Sequence, residues 1–347
     1  MIISQNIVYL QKINLVKMSL VTKIISRTDK FIRRNVVMEQ YPMLTYFSKK
    51  EQQRIGAMGI VFMLHHIEEK DPTHIPTNED LKVSPVFLEK IILKYKAKGF
   101  DIISLDQLND IIKSDVIPER PFVAFTIDDG YLDNYTKALP VFERQQVPFA
   151  IFVATDFINK KAILWWDSIE ELIMTHKSIV TSDGKHYSCE SYQQRWHTFR
   201  YLRERILNLD QKNLENELKK MFSNYEIDWY EPVKKKAMSW EQVLSLAHHS
   251  LCTIGGHTIS HPALSNLSMD EALREICEGK KIIEQKISKS VSYFAYPYGT
   301  PNEVGEREFQ LTEEVGFDIA FCAHGGCVTK DSKLQCYQLP RVYFHEY

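Results

Sequence analysis

Two adjacent carboxylates end an apolar run: Phe122 to Ile127 gives way to Asp128-Asp129-Gly130. Two histidines four residues apart follow later, in Gly255-Gly256-His257-Thr258-Ile259-Ser260-His261-Pro262. One carboxylate and two imidazoles make a ligand set for a transition metal. With Asp129 in that set, Asp128 is free to act as a base. That is the inventory of metal-assisted hydrolysis rather than of a binding module. Each piece has a plainer account, because Asp-Gly is a common surface turn and spaced histidines can be structural. The combination favours a facial triad of Asp129, His257 and His261. Zinc is the expected metal, and cobalt, nickel, manganese or iron accept the same donors.

Geometry sets conditions on that triad. Adjacent residues of an extended chain point to opposite sides, so a turn at Gly130 has to bring both carboxylates to one pocket. A helical segment between His257 and His261, with Pro262 placed to begin a helix, would put both rings on one side. Gly255-Gly256 would let the backbone turn sharply or approach a ligand.

Other residues stand ready around these. Tyr296-Pro297-Tyr298-Gly299 follows another apolar run. Tyr298 could hydrogen-bond or stack on a substrate, its backbone N–H could hold an oxyanion, or the loop could simply be rigid packing. His65 and His66 close the first apolar run, and either could deliver a proton or be structural. Arg341 could hold Asp128 ionised or pair elsewhere. Trp165 and Trp166 offer aromatic faces to a sugar, or an anchor for the segment around them.

The elements that must position these residues alternate. Strands are expected at 59–64, 100–104, 122–127, 148–154, 251–254, 291–296, 317–321 and 338–342. Helices are expected at 86–98, 105–112, 134–144, 240–248, 269–287 and 304–315. Such alternation implies a mostly parallel α/β sheet or barrel, and the polar constellations fall just after strands, where such folds place their chemistry. Residues 160–237 break the rhythm with the Trp pair, an Asp183-Gly184 turn and a charged helical stretch over 195–221. They read as a helical insertion within a domain spanning 56–347. Residues 1–55 read as a basic amphipathic extension: between residues 12 and 34, Lys12, Lys17, Lys23, Arg27, Lys30, Arg33 and Arg34 are opposed by Asp29 alone. Peripheral contact with an anionic membrane through residues 12–38 is one expectation, and packing on its own domain or a partner is the other.

Composition narrows the class. The net charge of −2 over 347 residues gives no electrostatic footprint for nucleic acid, so no nucleic-acid partner is expected. No run approaches the ~20 apolar residues of a transmembrane helix. Charges interrupt every apolar run in the first forty residues, so no signal peptide is read. The six cysteines form no close CxxC pair and read as free thiols in a reducing compartment. The cytoplasm is therefore the expected location, or the inner face of the membrane. Oligomeric state is not indicated.

Taken together, the motifs resemble those of the polysaccharide deacetylase family, the NodB-homology domain of carbohydrate esterase family 4. Phe125-Thr126-Ile127-Asp128-Asp129-Gly130 is similar to its first motif, with Ile127 where Phe is usual. Gly256 to Pro262 is similar to its second, and Phe294-Ala295-Tyr296-Pro297-Tyr298-Gly299 to its third. The resemblance covers residues 56–347 apart from 160–237. It implies a distorted (β/α)7 barrel, Asp128 as catalytic base, and Asp129, His257 and His261 on a divalent metal. It also implies Tyr298 lining the site, its backbone helping to stabilise the oxyanion. Tyr296 and Trp166 complete the expected substrate-binding set.

Two departures redirect roles. Many members carry Arg at the position of Ala295, and Leu339-Pro340-Arg341 resembles the ending of a branch in which a late Arg pairs with the base instead. The family's usual Leu-x-His acid near the C-terminus is not clear here. His65 matches a histidine this branch carries after its first strand and is the first candidate for the acid, with His345 second. The expected reaction removes an N-acetyl group from an amino sugar in a glycan or glycan precursor. Hydrolysis of an O-acetyl group or another amide is the same-class alternative. A catalytically silent carbohydrate-binding protein is the other, and retention of both Asp128 and Asp129 argues against it.

Overall fold

A computed structural model describes residues 57–114, 117–343 and 346. The 1–55 extension, its expected membrane contact and His345 lie outside the described residues. In chain order the strands are β1 (Ala57–Leu64), β2 (His66–Ile67), β3 (Lys82–Val83), β4 (Asp101–Ile102), β5 (Phe122–Ile127), β6 (Phe149–Val153), β7 (Ser178–Val180), β8 (His186–Ser188), β9 (Cys252–Gly256), β10 (Tyr293–Ala295), β11 (Ile319–Phe321), β12 (Val328–Thr329) and β13 (Val342–Tyr343).

Unbroken apolar runs make the centre. Every residue of β1, β5 and β6 is buried, as strands covered on both faces require. One sheet runs β11-β10-β9-β6-β5-β1-β12, with β13 beside β1 and β4 beside β5. Its pairings are parallel except β1 with β12. The sheet curls back on itself: Leu339 bridges Phe321 of β11, and the chain then reaches β13 beside β1. Closure rests on that bridge rather than on a full ladder, so the fold is an α/β barrel of the distorted (β/α)7 kind. The strand expected at 338–342 is displaced to Val342–Tyr343, because Pro340 has no N–H for a ladder.

Helices cover the outside. Helix Met269–Ile287 is fixed at its start by a capping box between Ser268 and Glu271. The helix expected over 134–144 opens instead as a π-helical turn, Asn134–Ala138, before Leu139–Gln145. Pro140 sits inside that run, removes one helical hydrogen bond and crowds the preceding turn, which widens. Among the described residues no helix is long and apolar enough to cross a membrane, and all six cysteines are free thiols.

Residues between Lys160 and Ala237 build helices Trp165–Thr175, Tyr192–Leu207, Leu214–Met221 and Glu231–Lys236, with β7 and β8 as a hairpin. Trp165, Ile169, Phe199, Leu202, Ile206 and Trp229 belong to an apolar cluster separate from the barrel core around Val61, Leu108, Phe152 and Phe321. The stretch expected to be helical over 195–221 is two helices. Asn208 ends the first, and Asp210 starts a new turn by accepting from Lys212 N. The Lys160 ammonium donates to Ala237 O and Met238 O, clasping the two ends of the segment.

Candidate metal centre and active site

The site forms where β5, β9 and β10 end. Asp128 continues the ladder by donating its N–H to Leu64 O. Asp129 then turns the chain at φ 78°, followed by Gly130 at φ 97°. The turn therefore begins at Asp129 itself, one residue before the expected glycine. Asp129, Thr258, His261 and Tyr298 are four of the seven non-glycine residues with positive φ among those described. Each such residue stores on the order of 1 kcal/mol or more of strain, least tolerable at β-branched Thr258. Strain concentrated in one place marks a segment held for a purpose other than stability.

The two histidines converge without the expected helical turn. His257 follows β9 directly, and left-handed Thr258 and His261, at φ 68° and 62°, fold the second ring back beside the first. Glu275 fixes the loop, accepting from Ile259 N and Ser260 N, each at 2.9 Å. Gly255 serves packing rather than ligand approach, since a Cβ there would lie 2.4 Å from the Phe152 ring.

His257 Nε2 and His261 Nε2 lie 3.4 and 3.3 Å from Asp129 Oδ1. Ligand atoms of all three residues fall within 4.8 Å of one another. Asp129 Oδ1 and His261 Nδ1 are buried without a hydrogen-bond partner, which is costly unless a cation engages the group. His257 Nδ1 donates to Ala295 O at 2.6 Å. A carbonyl only accepts, so the proton sits on Nδ1 and Nε2 presents its lone pair outward. Burial pushes the His261 imidazole down to about 4, leaving it neutral at pH 7. Burial works to raise the Asp129 carboxyl, but the close approach of the His257 and His261 rings outweighs it and holds the group ionised. A carboxylate and two imidazoles with unsatisfied donor atoms fit a divalent metal.

Asp128 stays outside that set. It meets Arg341 as a two-pronged ion pair at 2.7 and 2.8 Å, with side chains 3% and 0% exposed. Arg341 also donates to Cys322 O and Thr126 Oγ1 and lies over the Phe152 and Phe321 rings. Burial would raise the Asp128 carboxyl, and the Arg341 charge overrides it, so the group lies below the usual range. His65 Nε2 stands 4.0 Å from Asp128 Oδ2, its ring stacked with Tyr343. His66 points elsewhere, to Asp133 Oδ2 at 2.7 Å and onto the Tyr131 ring.

The aromatic expectations divide. Tyr298 packs edge-on to His261 at 4.8 Å and accepts from Trp165 Nε1. Its amide makes no backbone hydrogen bond among the described residues. Trp166 is half-buried, 5.5 Å from the His261 ring, and donates to Tyr131 Oη. Its neighbour Trp165 is buried in the second apolar cluster, so one Trp lines the site and the other anchors the insertion. Tyr296 is a correction. Its ring is buried against Phe294 and Phe309, its hydroxyl donates to Tyr337 O and its amide to Phe321 O. The Ala295 carbonyl faces the site, and strand alternation turns the next side chain outward.

Sequence reasoning missed Tyr343 and Arg203. Tyr343 carried a signal, because it stands two residues after Arg341 on a short strand and so shares its face. Arg203 carried none: it comes from the insertion, and its guanidinium lies 5.9 Å from the centre of the Tyr298 ring.

Three comparisons bear on this geometry. Residues 115–319, more than half of the chain, match the polysaccharide deacetylase family. A Bacillus subtilis (strain 168) protein, YxkH, named as a candidate polysaccharide deacetylase, is 20% identical over 282 residues, which is 81% of this chain and 70% of that protein. Among solved structures, the fold is similar to the Streptococcus pyogenes deacetylase PplD in complex with acetate, with a TM-score of 0.56, 14% identity, and coverage of 82% of this chain and 92% of that one. It is also similar to IcaB from Ammonifex degensii, with a TM-score of 0.54, 16% identity, and coverage of 84% and 93%.

Proposed function

Because the chain belongs to the polysaccharide deacetylase family, we propose that it is a zinc-dependent hydrolase that removes an N-acetyl group from an amino sugar in a glycan or glycan precursor. The observation that carries this reading is the division of labour between neighbours. Asp129 joins two imidazoles with an unsatisfied oxygen, while Asp128 is kept out of that set by Arg341.

A divalent metal held by Asp129, His257 and His261 supplies a Lewis acid and lowers the pKa of water. The chain's own residues do the rest. Asp128, ionised against Arg341, accepts the proton of the attacking water. The Arg341 fork keeps the carboxylate in place while its charge changes. The Tyr298 amide donates to the oxyanion. His65, 4.0 Å from Asp128 and with its pKa lowered by burial, takes the proton that Asp128 accepts and passes it to the leaving nitrogen. An amine leaves an amide only when protonated, whereas an alkoxide leaves an ester more readily, so an acid beside the base favours the N-acetyl substrate over the O-acetyl one. Trp166 offers its half-exposed face to the sugar. The similar Streptococcus pyogenes structure holds acetate, the acid expected as product here.

The test is acetate release from N-acetylated and O-acetylated sugars by metal-stripped protein reloaded with zinc, cobalt or nickel, beside Asp128→Asn. Metal-dependent release from N-acetyl sugars, lost in the variant, supports the reading. Release from O-acetyl sugars alone replaces it, and no release with metal bound points to a carbohydrate-binding protein.

A further inference from the structure

Helix Tyr192–Leu207 carries four arginines, and they divide into two kinds. Arg195 donates to Cys189 O at 2.9 Å. Arg205 donates to Tyr187 Oη at 2.7 Å and to Thr181 and Asp183. Both are framework. Arg200 and Arg203 meet no carboxylate among the described residues, only aromatic faces. Arg200 lies 5.0 Å from the Trp196 ring centre, and Arg203 lies 5.9 Å from that of Tyr298. Helical spacing puts Trp196, Arg200 and Arg203 on one stripe. The stripe leads to the metal centre, since the Tyr298 ring packs on His261.

Arg203 is half-buried. Burying a guanidinium without a counter-charge is unfavourable, and a ring face compensates only part of the lost hydration. Its charge also works to lower the pKa of Tyr298 and Tyr343, against the larger upward push of burial. Glu303 acts on the same tyrosines but is engaged by Thr300 and forms no ion pair with Arg203 among the described residues. A planar fork with five donors and no partner matches an oxyanion.

We propose that Arg203 binds an anionic group, phosphate or carboxylate, displayed on the sugar substrate, so that the enzyme acts on an acidic rather than a neutral glycan or precursor. This rests on the deacetylase reading for the identity of the site, but not for the binding itself. Arg200, next on the stripe over Trp196, extends the track for a longer acidic ligand.

The test separates the two readings. Calorimetric titration of the full-length, zinc-loaded Asp128→Asn protein uses N-acetylglucosamine, its 1-phosphate and N-acetylmuramic acid, with and without a second change of Arg203→Gln or Arg203→Lys. At least one acidic sugar binds about tenfold or more tighter than the neutral one. Arg203→Gln removes that preference and leaves the neutral affinity and thermal midpoint unchanged, while Arg203→Lys keeps part of it. Which acidic sugar wins distinguishes phosphate from carboxylate. In turnover with Asp128 intact, Arg203→Gln raises KM on the acidic substrate with kcat unchanged. Equal binding of neutral and acidic sugars, a preference that survives Arg203→Gln, or no binding at millimolar concentration overturns the proposal. An Arg203-dependent preference without acetate release from any substrate keeps the anion site and sinks the deacetylase reading. Equal turnover of neutral and acidic substrates does the reverse.

Discussion

Asp129, His257 and His261 bring three ligand-type atoms within 4.8 Å, and so do His74, Glu79 and Glu170 elsewhere in the fold. In the second group the groups already have partners. Lys82 Nζ stands 2.7 Å from Glu79 Oε1, which has no well-directed hydrogen bond but does have this cation. Glu79 Oε2 accepts from Asp71 N, and Glu170 accepts from Ile75 N and Asn78 Nδ2. His74 is exposed. In the first group a buried carboxylate oxygen and a ring nitrogen have no hydrogen bond, and the backbone around them is strained. Proximity of donors alone does not make a metal site. Unsatisfied donors held by strained backbone, with the His261 imidazole kept neutral by burial, do.

That contrast can be broken most directly by removing one ligand from each group. Asp129→Ala is expected to abolish bound zinc and lower acetate release by about a thousandfold or more. Glu79→Ala should leave metal content, read by elemental analysis, at the wild-type level. Equal zinc loss in both would erase the distinction. The next largest effect compares the cations that partner the carboxylates. Arg341→Met leaves the Asp128 charge buried and alone, costing about 3–5 kcal/mol in urea unfolding of metal-free protein. Lys82→Met should cost less than Arg341→Met, because the Lys82 side chain is 17% exposed against 0% for Arg341 and Glu79 keeps its bond from Asp71 N.

Metal occupancy gives a third comparison. Zinc at a hundredfold over its Kd should stabilise the wild type by about 2.7 kcal/mol and leave Asp129→Ala unmoved, measured as the unfolding midpoint. The smallest effect is pH-dependent. Burial holds the Glu170 carboxyl above its ordinary value despite two hydrogen bonds that lower it. A raised carboxyl contributes stability that is fully present below its unfolded pKa and is lost as pH rises through the folded one. Glu170→Gln should therefore narrow its stability gap to the wild type as pH rises from about 4 to 7. A gap that widens over that range would mean Glu170 is a working anion, as a metal ligand would be.

Much of this was open to reading along the chain, for reasons that differ by residue. Unbroken apolarity marked β5, and the strand–helix alternation placed the helix Met269–Ile287. The Asp and His types in the two motifs named the metal chemistry. Tyr296 failed because residue type says nothing of which way a strand turns its side chains. The convergence of His257 and His261 failed as a helix because left-handed Thr258 and His261 have no signature in non-glycine residues.

What the sequence by itself determined is therefore the local chemistry: which strands are buried on both faces, which carboxylates and imidazoles are available, and the βα order that brings loops to one end. Only the tertiary structure decided the pairings across distance. Arg341 meets Asp128, 213 positions away, because sheet closure through Leu339 sets β13 beside β1. Trp166 and Arg203 reach the site because the insertion, clasped by Lys160, folds its own core against the end of the barrel that holds His261 and Tyr298. Contacts of that kind depend on the closure of the whole sheet, and no window of sequence contains it.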